Sequence, residues 1–228
     1  MFREVTDLIL KDQESFPLKS RFFIVQGKRV FRNSNVFFDL EEKFENKLVL
    51  MGQIHSDVIK EIDGKDIYID NCDAIFTDKK GLSLGTYTAD CVPIFIQEGN
   101  KICVVHSGWK GTLANIVGKS LKNFVKPIVF IGPCIKSCCY NINTGLGGDG
   151  RERDFLDKYG DVALRREKDN IYLDLNAVIR KQISDYGLET SVIESPICTC
   201  CYDLKLPSHY REGEKRGNVL VSVISIQS

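Results

Sequence analysis

Residues 1–228 are expected to form one α/β or α+β domain built on two sheets. The length suits a single domain with a full core. The 43% hydrophobic and 27% charged residues match globular composition and set disorder aside. Short β-rich segments crowd the stretch from residue 21 to 106, and helical periodicity appears mainly beyond it.

The candidate strands in order are Arg21–Val25, Leu48–His55, Ile67–Ile69, Ala74–Thr77, Leu82–Thr88, Val92–Gln97 and Lys101–His106. Each is rich in β-branched or aromatic residues and bounded by Gly, Asp or Asn. Their close spacing predicts hairpins in a largely antiparallel or mixed sheet. A helix should start at Thr112 as N-cap, because Leu113, Ile116, Val117, Leu121 and Phe124 recur at helical spacing. Val125–Lys126–Pro127 ends it, and a strand follows at Ile128–Ile131. Four glycines in Gly145–Gly150 predict a loop. A second helix is expected over Leu173–Tyr186, closed by Gly187, and a buried strand over Val219–Ile226.

Lys plus Arg (31) equals Asp plus Glu (31), so global charge points to neither nucleic acid nor an acidic membrane. A local basic patch for an anion such as phosphate is compatible with this balance. The only early apolar run, Leu8–Leu10, is too short for a secretory signal. No segment approaches the roughly 20 apolar residues of a membrane span. A cytoplasmic protein is therefore expected. Nine cysteines, an odd number, argue against a complete disulfide framework. Reduced thiols are then buried apolar residues, nucleophiles or metal ligands.

The chain has three histidines. His55 and His106 both fall at the ends of expected strands, and Cys91 stands where another strand pattern breaks. Strand ends are where a rigid scaffold presents groups to a cleft. One thiolate with two imidazoles is a zinc set that leaves a fourth position for water or substrate. Asp73 and Asp90 are the nearest acidic candidates to hold an imidazole by its other nitrogen. The spacing is not a compact ligand motif, so a hydrogen-bonded structural histidine and a buried filler cysteine stay open.

Other features have simpler readings. Cys134, Cys138 and Cys139, with Cys198, Cys200 and Cys201, read as C-x3-C-C and C-x-C-C. Neither is the usual C-x2-C pair of a structural zinc site, so buried or incidental thiols open to reversible oxidation are expected. The Gly145–Gly150 glycines lack the Lys-Ser/Thr of a phosphate loop. Trp109, the one tryptophan, can stack a purine or anchor the fold.

Five ordered segments carry a family resemblance. They are Gln53–Ile54–His55–Ser56, Asp73–Ala74, Thr88–Ala89–Asp90–Cys91–Val92–Pro93–Ile94, Val105–His106–Ser107–Gly108–Trp109–Lys110–Gly111 and Ile131–Gly132–Pro133–Cys134–Ile135. They resemble the Q-V-H-G, D-A, T-A-D-C-x-P, H-A-G-W-R-G and I-G-P signatures of the bacterial multicopper polyphenol oxidase, or laccase-domain, family. The resemblance implies a four-layer α/β/β/α sandwich with mixed sheets, similar to the catalytic domain of cytotoxic necrotizing factor. It implies zinc, earlier reported as copper, on His55, Cys91 and His106, with Cys91 and His106 as the metal or proton-transfer centre.

The activity implied is that of a purine nucleoside phosphorylase using phosphate on adenosine, inosine or methylthioadenosine, with adenosine deamination in some members. Three histidines cannot supply the copper centres of a true multicopper oxidase. Phosphate would meet Lys110 and Arg211. Lys110 stands where the family has Arg, a point charge in place of a bidentate fork. The family's C-terminal arginine motif is reduced to Pro207–Ser208–His209–Tyr210–Arg211. The expected partners are a purine nucleoside and phosphate, with the chain a monomer or weak homo-oligomer. Two alternatives are a Cys91/His106 hydrolase or amidase, in a family linked to peptidoglycan precursors, and a zinc-stabilised binding module.

Overall fold

The computed structural model describes residues 2–11, 18–27, 35–143, 150–202 and 206–226. Its core is two mixed sheets of six strands each, packed face to face. The first holds β1 (Phe2–Glu4), β2 (Ser20–Gln26), β3 (Lys47–Gly52), β5 (Tyr68–Asp70), β7 (Leu82–Thr88) and β14 (Asn218–Ser225), in the order β1-β2-β14-β7-β3-β5. The second holds β4 (Ile59–Glu61), β6 (Ala74–Thr77), β8 (Val92–Glu98), β9 (Lys101–Ser107), β10 (Ile128–Ile131) and β13 (Ser191–Glu194), in the order β13-β10-β8-β9-β6-β4. A small hairpin, β11 (Leu164–Glu167) with β12 (Asn170–Leu173), stands apart.

Strand alternation builds the layers. In β8, Phe95 points to the other sheet while Ile94 and Ile96 point to the helices. In β14, Leu220 and Ile224 face the inter-sheet core, and Val219, Val221 and Val223 face outward. That outer face is covered by Phe37 and Leu40 of α2 (Asn35–Glu41). The outer face of the second sheet is covered by α4 (Ile116–Leu121), α5 (Arg151–Tyr159) and α6 (Leu175–Tyr186). The result is the α/β/β/α sandwich. No helix among the described residues is long and apolar enough to cross a membrane.

Several sequence expectations need correction. Hairpins do not dominate, because β6, β7 and β8 alternate between the two sheets. Among the described residues, only β8–β9 and β11–β12 close as tight antiparallel pairs, the first through Gly99 at φ 56°. The third strand ends at Gly52, three residues short of His55. Thr112 caps nothing. It lies inside α3 (Trp109–Leu113), whose N-cap is Gly108, and it shares a hydrogen bond of 2.8 Å with Ser107. The single expected helix is two, because Asn115 adopts φ 64° and caps α4 by accepting from the Gly118 N–H. The later helix starts at Leu175 because Asp174 caps it through the Ala177 N–H. The Gly145–Gly150 loop lies outside the described residues except for Gly150, the N-cap of α5.

Candidate active site

The site forms where the chain twice crosses from one sheet to the other. The first crossing, between β3 and β4, carries His55, and the second, between β7 and β8, carries Cys91. His106 comes from the end of β9, opposite Pro93 in the antiparallel register. That register places Cys91, one residue before β8, diagonally beside His106.

Asp73 organises two of the three side chains. Its buried carboxylate accepts from the backbone N–H groups of Ile54, His55 and Ser56 at 3.2, 2.9 and 2.7 Å, and from the Ser56 hydroxyl at 2.7 Å. This collar fixes His55 at φ 60°, a strained value for a non-glycine residue. The same carboxylate meets His106 Nδ1 at 2.8 Å, which leaves Nε2 as the nitrogen that could hold a metal. Asp73 is thus the carboxylate behind the histidine that good metal sites require. Burial raises its pKa, but the hydrogen bond from His106 and that ring's charge outweigh it and hold the carboxyl below the usual range.

Asp90 has a different role and holds Thr199 and Tyr210. At φ 88°, it accepts from the Thr199 hydroxyl and the Tyr210 N–H, both at 2.6 Å, and so turns the chain into Cys91. Gln53 is structural as well. It locks the end of β3 to β7 by donating to Tyr87 O at 2.8 Å and accepting from Thr86 and Tyr87.

Cys91 Sγ lies 3.9 Å from His55 Nε2, and the two imidazole rings cross edge to face with centroids 4.8 Å apart. The donor atoms of His55, Cys91 and His106 all fall within 4.8 Å of one another. Burial pushes the Cys91 thiol up, yet the His106 charge and hydrogen bonds from both histidines bring it down to about 6. Burial lowers His106, but the Cys91 thiolate and Asp73 lift it above its ordinary value. Each partner thus favours the charged form of the other. Two imidazole nitrogens and a low-pKa sulfur fit a zinc ion with one open position.

The motif glycines have a steric basis. A Cβ on Gly108 would stand 3.0 Å from Cys91 Sγ and 3.1 Å from His55 Cδ2. One on Gly111 would meet Ser56 O at 3.0 Å, and one on Gly132 would meet Pro93 Cγ at 2.8 Å.

A cavity of about 220 Å³ opens over the triad, lined by His55, Asp90, Cys91, Trp109, Tyr140, Arg151 and His209 among others. Arg151 stacks on Trp109 with its guanidinium carbon 4.5 Å from the ring centroid, and it donates to the Tyr140 hydroxyl at 2.8 Å. It is 8% exposed. Lys110 and Arg211, singled out from the sequence, are not among the lining residues, although the Lys110 ammonium lies 5.5 Å from the Trp109 ring centroid. Lys110 is exposed on α3. Arg211 donates to Thr199 O, Cys200 O and Leu206 O and pairs with Glu212 at 2.6 Å, so its guanidinium is spent on the fold. Sequence reasoning passed over Arg151, Tyr140 and His209. The aromatic and basic residues of His209–Tyr210–Arg211 were a usable signal for the last of these.

Known proteins share this fold and parts of this sequence. Residues 26–227 match the family described as multi-copper polyphenol oxidoreductase laccase. A purine nucleoside phosphorylase of Clostridium acetobutylicum is 28% identical over 220 residues, covering 87% of this chain and 84% of that protein. One of Aquifex aeolicus is 29% identical over 188 residues, covering 79% of this chain and 84% of that protein. The crystal structure of the Bacillus licheniformis hypothetical protein YfiH superposes with a TM-score of 0.76 at 20% identity, over 93% of this chain and 94% of that one. YlmD from Geobacillus stearothermophilus gives 0.71 at 22% identity, over 91% and 92%. With nearly the whole chain matched, this protein belongs to the multi-copper polyphenol oxidoreductase laccase family.

Proposed function

We propose that the chain is a metal-dependent purine nucleoside phosphorylase, with adenosine, inosine or methylthioadenosine as substrate and His55, Cys91 and His106 as metal ligands. The observation that carries the reading is that His55 and Cys91, two of the three donors of a zinc-type set, and the buried Arg151–Trp109 stack line one small cavity. The names of the relatives agree with it. In phosphorolysis a phosphate oxygen bonds to the ribose anomeric carbon while the bond to the purine nitrogen breaks. The bonding pair leaves with the base, which takes up a proton.

The cavity's own residues divide this work. Trp109 offers an aromatic face to the purine. Arg151 holds a permanent positive charge inside the cavity, suited to phosphate. His106 and Cys91 are the proton-transfer or metal centre, with Asp73 fixing the ring. A bound zinc would supply Lewis-acid stabilisation to charge developing on an oxygen or nitrogen. Arg151 thereby takes the phosphate role that the sequence gave to Lys110 and Arg211.

The experiment is steady-state kinetics of base release from inosine with varied phosphate, for the wild type and Arg151→Gln. The reading predicts a rise of about 10-fold or more in the phosphate KM, with the nucleoside KM much less affected. An unchanged phosphate KM would remove Arg151 from the role. One observation favours a second reading: the lowered Cys91 thiol is also that of a nucleophile in a hydrolase or amidase. Alkylation after metal removal that leaves a chelator-insensitive activity intact would argue against that alternative.

A further inference from the structure

We propose that Cys138, Cys139, Cys198 and Cys201 form a second metal site, separate from the cavity triad, which holds zinc in an all-sulfur tetrahedron and staples two loops together. The four sulfurs lie within 4.8 Å of one another. Cys138 Sγ is 3.7 Å from Cys201 Sγ and 3.8 Å from Cys139 Sγ. A tetrahedron with zinc–sulfur bonds of ~2.3 Å has edges of about 3.8 Å, so these separations are those of ligands around one ion. All nine cysteines are free.

The chemistry of the cluster calls for a cation. The N–H groups of Lys136, Cys201 and Cys200 converge on the buried Cys198 sulfur. Backbone N–H groups converging on a sulfur stabilise the thiolate, the form that binds metal. Four sulfurs this close cannot all ionise against one another, and a divalent cation removes that conflict.

The spacing is also more favourable than the sequence reading allowed. Cys198–Thr199–Cys200–Cys201 contains a C-x2-C pair, residues 198 and 201, which was hidden by Cys200 standing between them. The Tyr202 N–H bonds back to Cys198 O at 3.1 Å and closes the turn that presents both sulfurs.

The two ligand pairs sit on segments that leave neighbouring parallel strands, β10 and β13, and are joined by a bridge between Cys134 and Cys198. Both segments bear on the cavity, the first as lining and the second through Asp90, which lines it. One carries Ile135 and Tyr140. The other carries Thr199, whose hydroxyl holds Asp90, and the carbonyls of Thr199 and Cys200 that anchor Arg211. An ion joining residues 63 apart in the chain would fix both segments without touching substrate.

The test is metal analysis of the full chain, purified under reducing conditions without chelator. The wild type should hold about two zinc ions per chain. Cys138→Ser/Cys201→Ser should lose about one equivalent, with a lower Tm, and His106→Ala should lose the other. Cobalt reconstitution gives a second readout. Strong sulfur-to-cobalt charge-transfer absorption should persist in His106→Ala and fade in the cysteine variant. Cys201→His, which restores a ligand, should recover the metal if the double variant folds poorly. Unchanged zinc content in a folded cysteine variant would overturn the proposal. So would a wild type holding one equivalent that His106→Ala abolishes, or a Cys138–Cys201 disulfide in the reduced preparation.

Discussion

Asp73→Asn keeps the size of the side chain at the centre of the site but removes its charge. The variant has one acceptor oxygen where five donor groups now converge, from residues 54–56 and His106. Zinc affinity should fall on the order of 10- to 100-fold, measured by competition with a chromophoric chelator. Gly108→Ala tests a steric claim. Its backbone allows a side chain at φ −75°, but the new Cβ would press on Cys91 and His55. Metal retention should drop while far-UV dichroism stays unchanged, and full retention would show that the site has slack. The grouping of His55, Cys91 and His106 came from the family motifs, and residue spacing alone left it open; the structure brings their donor atoms within 4.8 Å of one another. The choice between Asp73 and Asp90 was not legible in the sequence, because it depends on which strand β9 pairs with. Arg151 was hidden for a related reason: its stacking partner Trp109 is near the site in sequence, but Arg151 itself lies far along the chain, after the glycine-rich stretch 145–150.

At the scale of elements, Asn115 divides what the sequence pattern reads as one helix, and Glu194 joins parts that the pattern left separate. Asn115 breaks one helical stripe into α3 and α4 and caps the second. Asn115→Ala removes the cap and keeps the left-handed backbone, which should cost about 1–2 kcal/mol in denaturant unfolding. Glu194, at the end of β13, accepts from Asn176 at 2.7 Å and pairs with Lys136 and Arg180. Burial raises its carboxyl, but the Asn176 bond and the two cations outweigh it and hold it below its ordinary 4.5. A depressed folded pKa gives stability that is complete above the unfolded value and is lost as pH falls through the folded one. Glu194→Gln should therefore flatten the fall of Tm between about pH 5 and pH 3, and an unchanged acid limb would contradict this. Strand positions were readable with small end errors, and Ala74–Thr77, Leu82–Thr88 and Ile128–Ile131 match the structure. Pairing was not readable. Strands such as β7 are buried along their whole length, so no polar face marks the sheet to which they belong.

At the scale of the molecule, the two sheets meet through Phe22, Phe95 and Phe130, with ring centroids 5.9–6.0 Å apart. All three are 0–1% exposed. Phe95→Ala should cost ~3–5 kcal/mol by opening a cavity between the sheets, read as a shift of the denaturation midpoint. The crossings between those sheets carry His55 and Cys91, so sheet packing and site geometry are one requirement. The sandwich itself was reached from family motifs and not from periodicity, because layer order is a long-range property that local pattern does not encode. The central claim, that this sandwich presents a metal-assisted phosphorolytic site, is tested most directly by base release from adenosine and inosine with and without phosphate. The protein should have known metal content, with His106→Ala alongside. Phosphate-dependent formation of free base and ribose 1-phosphate, lost together with one metal equivalent in His106→Ala, is the predicted result. Metal-loaded protein that releases no base from any purine nucleoside, with phosphate present, would contradict it.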